Sequence, residues 1–282
     1  MKSSPLPVPS DPRLDKVEAA LLSITGVRQT LLEGVARAVD EVVDPVRSAR
    51  WKISELDQPE KTVFGIRVEN VLRMELELER STKLDMKIAG EEVDVKFTIH
   101  NNWAIPPEAV DELCLVACFR EKDHCVSVGL VRATEDALNA GKNRDKKRGL
   151  SLIGKSRIRW LIKDAVADSS IIGFMAGLSP DLRQAITDTH VGAQTRQNRL
   201  FSNLVDLPIP ETLVEAISQP HKDWTRRLRP DASNPKAPGQ VDIGYVVLRQ
   251  SAPKDRQRLK EAGREPLHDG FCMSVRPTVV QP

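Results

Sequence analysis

Asp94 and Lys96 stand in the run EEVDVKFTI (91–99), where apolar and polar residues alternate. A period of two is that of a β-strand, so Asp94 and Lys96 project to one exposed side while Val93, Val95 and Phe97 pack inward. An acid and a lysine on one face suit hydrolysis of a phosphodiester. The carboxylate offers the hard oxygens that magnesium takes as ligands. The ammonium can stabilise charge developing on a phosphate, or steer an attacking water.

One carboxylate is too few for such a site. The preceding run KLDMKI (83–88) alternates as well, with Leu84, Met86 and Ile88 on one face, and only Ala89–Gly90 separates the two runs. A two-residue hairpin loop there sets Ile88 opposite Glu91 and Asp85 opposite Asp94, with Cβ atoms about 5 Å apart. Two carboxylates that close repel unless a cation lies near them. Glu69, on a helix expected from about Glu60 to Leu78, could supply a third. The candidate catalytic set is therefore Glu69, Asp85, Asp94 and Lys96, with the three acids as ligands of Mg2+. The bare D-x-K pattern is common, and its bland counterpart is the solvated face of an edge strand.

The elements around this set follow from periodicity. Apolar residues near helical spacing from Val17 to Val42 predict helix over 14–43, with Gly26 as a break. The runs at 113–119 and 125–131 are almost wholly apolar and predict two buried strands. One or two basic helices are expected after them. From about 165 the character changes. LSPDLRQAIT (178–187) predicts a short helix with Ser179 as cap and Pro180 in its first turn. Further helices are expected at 193–206 and from 209 to 217. A Pro-rich loop spans 230–240, and runs at 244–250 and 270–277 predict a strand pair around a charged hairpin or helix.

The length of 282 residues fits one large or two modest domains. Aromatic residues are only 4% of the chain, which argues against stacking platforms for single-stranded nucleic acid. No apolar run approaches the ~20 residues of a membrane helix. The N-terminal MKSSPLPVPSDP carries no apolar segment of the signal-peptide kind and is expected to be a disordered lead-in, which suits a cytoplasmic protein. The four cysteines are expected to be buried thiols rather than zinc ligands. Charge is divided unevenly. Residues 1–141 hold 18 Lys/Arg against 25 Asp/Glu, and residues 142–282 hold 24 against 15. The acidic half suits metal binding and the basic half suits a polyanionic partner.

Two features of the basic half fit double-stranded DNA. Helix 181–187, a short break and helix 193–205 have the lengths of a helix-turn-helix. The second helix opens with Gln194, Thr195, Arg196, Gln197, Asn198 and Arg199, and Arg, Gln and Asn are the side chains that reach base edges in the major groove. An ordinary amphipathic surface helix has the same pattern. Basic clusters around Lys146, Lys147 and Arg148, and around Arg226 and Arg227, offer phosphate contacts. The DNA-binding candidates are Lys146, Lys147, Arg148, Gln194, Arg196, Gln197, Arg199, Arg226 and Arg227.

The segment EKTVFGIRVENVLRMELELERSTKLDMKIAGEEVDVKF (60–97) resembles the active-site region of NaeI-type type II restriction endonucleases. WAIPPEAVDELCLV (103–116), GLVRA (129–133) and NRDKKRGL (143–150) resemble the same family in the same order and spacing, and the similarity continues more weakly to near the end. The resemblance implies a mixed α/β protein. Residues 1–165 would form a PD-(D/E)xK endonuclease core, and residues 166–282 a DNA-binding domain with a winged-helix-like helix-turn-helix. It implies catalytic roles for Glu69, Asp85, Asp94 and Lys96, magnesium as cofactor, and a homodimer cutting both strands. It further implies a second DNA copy as effector, and a bacterial restriction–modification system whose DNA methyltransferase acts on the same site. The chain departs from the family pattern at Val95, an inward-facing position, and in a shorter C-terminal domain. Two other readings share these residues. One is a strand-nicking repair nuclease with the same chemistry, and the other is a DNA-binding regulator whose nuclease-like domain is only a scaffold.

Overall fold

Helix starts follow the capping chemistry written in the sequence. Asp11, Asp57 and Ser179 each precede a first turn containing proline, and their side chains accept the backbone N–H of Leu14, Glu60 and Leu182. At Asp57 the Glu60 side chain also accepts the Asp57 N–H, which completes a capping box. These observations come from a computed structural model that describes residues 10–48, 50–141, 143–219, 223–225 and 244–276. Residues 1–9 of the expected N-terminal lead-in (1–12), the Pro-rich loop (230–240), Lys142, Arg226 and Arg227 lie outside the described residues, while the end of the lead-in is ordered, with Asp11 capping α1.

In chain order the helices are α1 (Pro12–Leu22), α2 (Val27–Val43), α3 (Pro45–Ser48), α4 (Gln58–Glu75), α5 (Leu152–Ser156), α6 (Ile171–Ala176), α7 (Pro180–Thr187), α8 (Ala193–Asn203), α9 (Glu211–Ile217) and α10 (Pro253–Glu261). The strands are β1 (Glu79–Arg80), β2 (Met86–Ile88), β3 (Glu91–Thr98), β4 (Ala104–Ile105), β5 (Leu113–Arg120), β6 (Cys125–Arg132), β7 (Arg148–Gly149), β8 (Arg159–Val166), β9 (Pro208–Pro210), β10 (Val246–Arg249) and β11 (Phe271–Val275). None of the described helices is long and apolar enough to cross a membrane.

Two compact units divide the described chain. The first comprises residues up to Val42 and Leu56–Ala167. Its sheet has the order β1-β2-β3-β5-β6-β8, in which only β3 and β5 run parallel. Ala89 and Gly90 both have positive φ, 51° and 79°, so the β2–β3 turn is of the I′ kind that matches strand twist. The ladder pairs Ile88 with Glu91 and Met86 with Val93, the register expected from the two-residue loop. The α2–α4 contact is close because Gly34 lacks a Cβ. One built there would stand 3.0 Å from Leu72 Cδ2.

Two expectations fail in this unit. The basic stretch after β6, expected as one or two helices, is only in small part helical. It contains the five-residue α5 and then β8, an outer strand of the main sheet. The run IRWLI carries β-branched and aromatic residues that fit a pleated surface, and the flanking basic residues disguise it. The Asp94 side chain is not exposed as expected either, although Lys96 on the same side reaches a pocket. β3 lies inside the sheet, and Asp94 is only 4% exposed.

The second unit takes in Val43–Glu55 and the described residues from Asp168 onward. Segment 43–55, expected within the N-terminal domain, belongs here because Val46 and Trp51 pack into this unit's core with Phe201, Leu213 and Ile217. Phe201 anchors the cluster, with ring centroids 5.7 Å from Tyr245 and 6.3 Å from Trp224. Helices α7 and α8 follow one another across a short link, and an antiparallel sheet β10-β11-β9 completes the unit. β9 occupies residues expected to begin a helix. Pro208 and Pro210 bracket Ile209 there, and α9 begins only at Glu211.

Candidate active site

Asp85 lies just before β2, at the place where the β2–β3 register extends to Asp94. The Val95 backbone N–H donates to Asp85 Oδ2 at 2.6 Å, so the carboxylate takes over where the strand ladder stops. Lys96 sits one pleat beyond Asp94 on the same side of β3. Its Nζ is 2.6 Å from Asp94 Oδ2 and 3.9 Å from Asp85 Oδ2, and it donates to the Val95 carbonyl at 3.1 Å. Ring packing between Phe64 of α4 and Phe97 of β3, with centroids 5.7 Å apart, fixes the helix over the strand. That contact sets Glu69 toward the same cavity. Glu69, Asp85 and Lys96 line one pocket of about 550 Å3, while Asp94 lies behind Lys96.

The electrostatics agree with this crowding. Burial pushes the Asp94 carboxyl up to about 7, Lys96 opposes the shift, and the charge of Asp85 adds to it. Glu69 is also raised, by burial first and then by Asp85, with Arg73, Arg80 and Lys96 opposing. Three acids thus compete for one patch of counter-charge. Asp94 Oδ2 is buried and finds no partner in hydrogen-bond geometry, so its contact with Lys96 is that of an ion pair.

The donor set offers the hard oxygen ligands that a divalent metal ion takes. It consists of carboxylate oxygens, one of them buried and held only by an ion pair, in a patch where an ammonium already lies between two aspartates. Magnesium is commonly held by one or two carboxylates together with water and substrate phosphate. Among the described residues no group of three or more acids, histidines or cysteines converges as a metal cage. Asp85 and Glu69 open onto the cavity, and Asp94 is the buried acid behind Lys96.

The rest of the pocket includes residues that the sequence reading passed over. Lys61 and Thr62 precede Glu69 on the same face of α4, and His100 and Asn102 follow Lys96 beyond the end of β3. The signal was present. His100 continues the alternation Asp94, Lys96, Thr98, and Lys61 is eight residues before Glu69. Lys147, expected from its basic cluster, lines the pocket too.

Comparison with known proteins decides the family. Residues 16–281 match the family described as Restriction endonuclease NaeI. The chain belongs to the NaeI restriction endonuclease family. It is 27% identical over 226 residues to the type II restriction enzyme NaeI of Lentzea aerocolonigenes, an alignment covering 78% of this chain and 70% of that protein. Family membership makes the chain a type II site-specific deoxyribonuclease.

The DNA-contact candidates divide sharply. Arg196 is buried. Its guanidinium donates to the carbonyls of Ile217 and Gln219, both at 2.8 Å, and to those of Val191 and Asp188. Gln197 is fully buried and donates to the Ser218 hydroxyl. Both were expected on an outward face, and both are instead internal ties between α8 and the end of α9. A helix of mean polarity this high hides which polar residues point inward. Gln194 is half-buried and bonds to Asn198 at 2.9 Å. Arg199 is partly exposed, with one arm donating to the Ala185 carbonyl at 2.8 Å. Arg148 is also corrected. Its side chain donates to the Asn139 carbonyl at 2.7 Å, pairs with Glu135 and is 13% exposed. Lys146 and Lys147 stay exposed.

Proposed function

We propose that this enzyme cuts both strands of duplex DNA at a specific sequence, with magnesium held by Asp94 and Asp85 and with Glu69 completing the acidic patch. The observation that carries this reading is the placing of Lys96 between Asp94 and Asp85 at the floor of a pocket open to a phosphodiester. The ion, when bound, neutralises phosphate charge and lowers the pKa of water. The protein's own groups do the rest. Asp94 holds the Lys96 ammonium by its ion pair. Lys96 then presents a positive charge to a phosphate oxygen or orients the attacking water. The Val95 N–H fixes Asp85, so that its second oxygen is free to face the cavity.

In this reading the second unit recognises DNA through a helix-turn-helix formed by α7 and α8. With Arg196 and Gln197 turned inward, the contacts fall to exposed Thr195 and Ser202 and to Arg199, which is partly exposed and also tied to Ala185 and Asp188. A symmetric target favours a homodimer. A second DNA copy as effector, and a methyltransferase acting on the same sequence, belong to the same proposal. The test is incubation of supercoiled plasmid with the protein and magnesium. Discrete linear fragments are expected. Open circles alone would point to a nicking enzyme, and unchanged plasmid to a regulator.

A further inference from the structure

Gly65 stands in the middle of α4, where glycine is a poor choice, costing a helix about 1 kcal/mol relative to alanine. The chain's own packing does not require it. A Cβ built at Gly65 meets nothing within 4 Å, and its φ is not positive. Gly34 of α2 makes the contrast, since a Cβ there would press on Leu72. The space beside Gly65 is part of the pocket that contains Glu69, Asp85 and Lys96. Its neighbour Ile66 lines the same pocket and is 61% exposed, an unusual place for a large apolar side chain.

We propose that the face of α4 carrying Gly65 seats the sugar–phosphate backbone of the strand being cut, and that glycine is there to let that backbone reach the helix. The inference rests on the reading of the pocket as a nuclease site and adds to it the surface that sets how deep the strand lies. The lining balances Lys61, Lys96 and Lys147 against Glu69, Asp85 and Glu108, so the occupant is read from the two lysines that stand unpaired. Lys61, one turn before Gly65, and Lys147, across the pocket, have ammonium groups without ion-pair partners among the described residues. Thr62 shares the rim. One turn after Gly65, about 6 Å along the helix axis, stands Glu69. A polyanion lying over Gly65 therefore meets the two lysines at the rim and the Asp85–Lys96 pair at the floor. Ile66 offers its apolar surface to a deoxyribose ring.

The experiment uses the full chain with Gly65→Ala and Gly65→Leu, two good helix formers. Both variants are expected to hold or raise the unfolding midpoint, with Gly65→Ala raising it by about 2–4 °C. Gly65→Leu should nevertheless cut plasmid about a hundredfold more slowly with magnesium, the cost of displacing reacting groups by about an ångström. Its affinity for a short fluorescent mixed-sequence duplex should fall as well, because the contact is with the backbone. Gly65→Leu cutting at the wild-type rate would overturn the proposal. So would a lowered midpoint in Gly65→Ala, which would make the glycine a packing requirement. Loss of cutting with unchanged duplex affinity and a changed sedimenting mass would assign the face to a second copy of the chain instead. If the wild-type protein itself fails to cut, the nuclease reading falls and this inference falls with it. If the wild type cuts and Gly65→Leu cuts equally well, only the inference falls.

Discussion

Lys96 Nζ lies 2.6 Å from Asp94 Oδ2, behind which the carboxylate is almost wholly removed from solvent. The pair is therefore more than a surface ion pair, and each member depends on the other. Asp94→Ala is expected to abolish plasmid cutting, by about 10² to 10³ or more, while leaving affinity for duplex DNA nearly unchanged. Lys96→Ala should do the same, and its affinity for magnesium, read by calorimetry, should equal or exceed that of the wild type because the resident ammonium is gone. A variant that cuts near the wild-type rate would remove its residue from the site.

Asp85 has two separable duties, and two substitutions divide them. The Val95 N–H needs an acceptor, and Asp85→Asn keeps one while discarding the charge. That variant should fold with an unchanged melting midpoint and fail to cut. Asp85→Ala leaves a partly buried N–H unpaired and should also lose about 1–3 kcal/mol of stability. Equal midpoints for the two variants would show that the N–H finds water instead.

Arg196 and Arg199 are three residues apart on α8 and should behave oppositely. Arg196 holds four backbone carbonyls, and Arg196→Ala would strand them in the interior. A stability loss of about 2–4 kcal/mol is expected, from charged hydrogen bonds worth about 1.5–3 kcal/mol each and partial refilling by water. Arg199→Ala loses only a partly exposed bond to the Ala185 carbonyl and a pair with Asp188, so it should cost about 1 kcal/mol or less and weaken DNA binding. Thermal unfolding and fluorescence anisotropy on both variants decide the assignment. Weak DNA binding by a fully stable Arg196→Ala would restore the outward reading.

The acid limb of stability should carry a contribution from Asp11. Its carboxylate caps α1 and takes two hydrogen bonds from Arg132, and the hydrogen bond from Arg132 is the main reason its pKa is lowered. A depressed folded-state pKa means that the unfolded chain binds the proton more readily. The stabilisation is present above the unfolded value of about 4 and is lost as pH falls through the lower folded value. Denaturant midpoints measured from pH 6 to pH 2 should converge for wild type and Asp11→Asn at the acid end. Curves that stay parallel would assign the acid loss to other groups.

The catalytic hairpin was legible because three local rules agreed there. Alternation set the strands, Ala89–Gly90 set the loop, and loop length set the register that places Asp85 by Asp94. What stayed hidden depends on sequence-distant partners. Nothing near Asp94 says that β5 will run beside β3 and place it inside the sheet. Nothing in QTRQNR says that Arg196 will meet the end of α9. Trp160 and its neighbours become a strand because β6 offers an edge, and Val46 joins the second unit because that core has room for it.

The basic segment before α5 offers the sharpest separation of phosphate contact from scaffold. Lys147 lines the active-site pocket with its ammonium unpaired among the described residues, while adjacent Arg148 points back to the Asn139 carbonyl and Glu135. Each lysine that neutralises a phosphate releases condensed counterions, so its loss should lower the slope of log affinity against log salt by about 0.9. Lys147→Ala and Lys61→Ala are each expected to flatten the slope by about that amount, for any duplex sequence, with no change in the melting midpoint. Arg148→Ala removes a charged tie and should cost about 1–2 kcal/mol of stability, with the salt slope unaltered. The measurement is a mixed-sequence duplex titrated at four salt concentrations for all three variants, beside their thermal unfolding curves. A slope change in Arg148→Ala and none in Lys147→Ala would reverse the two roles, and would mean that the loop turns over when it meets DNA.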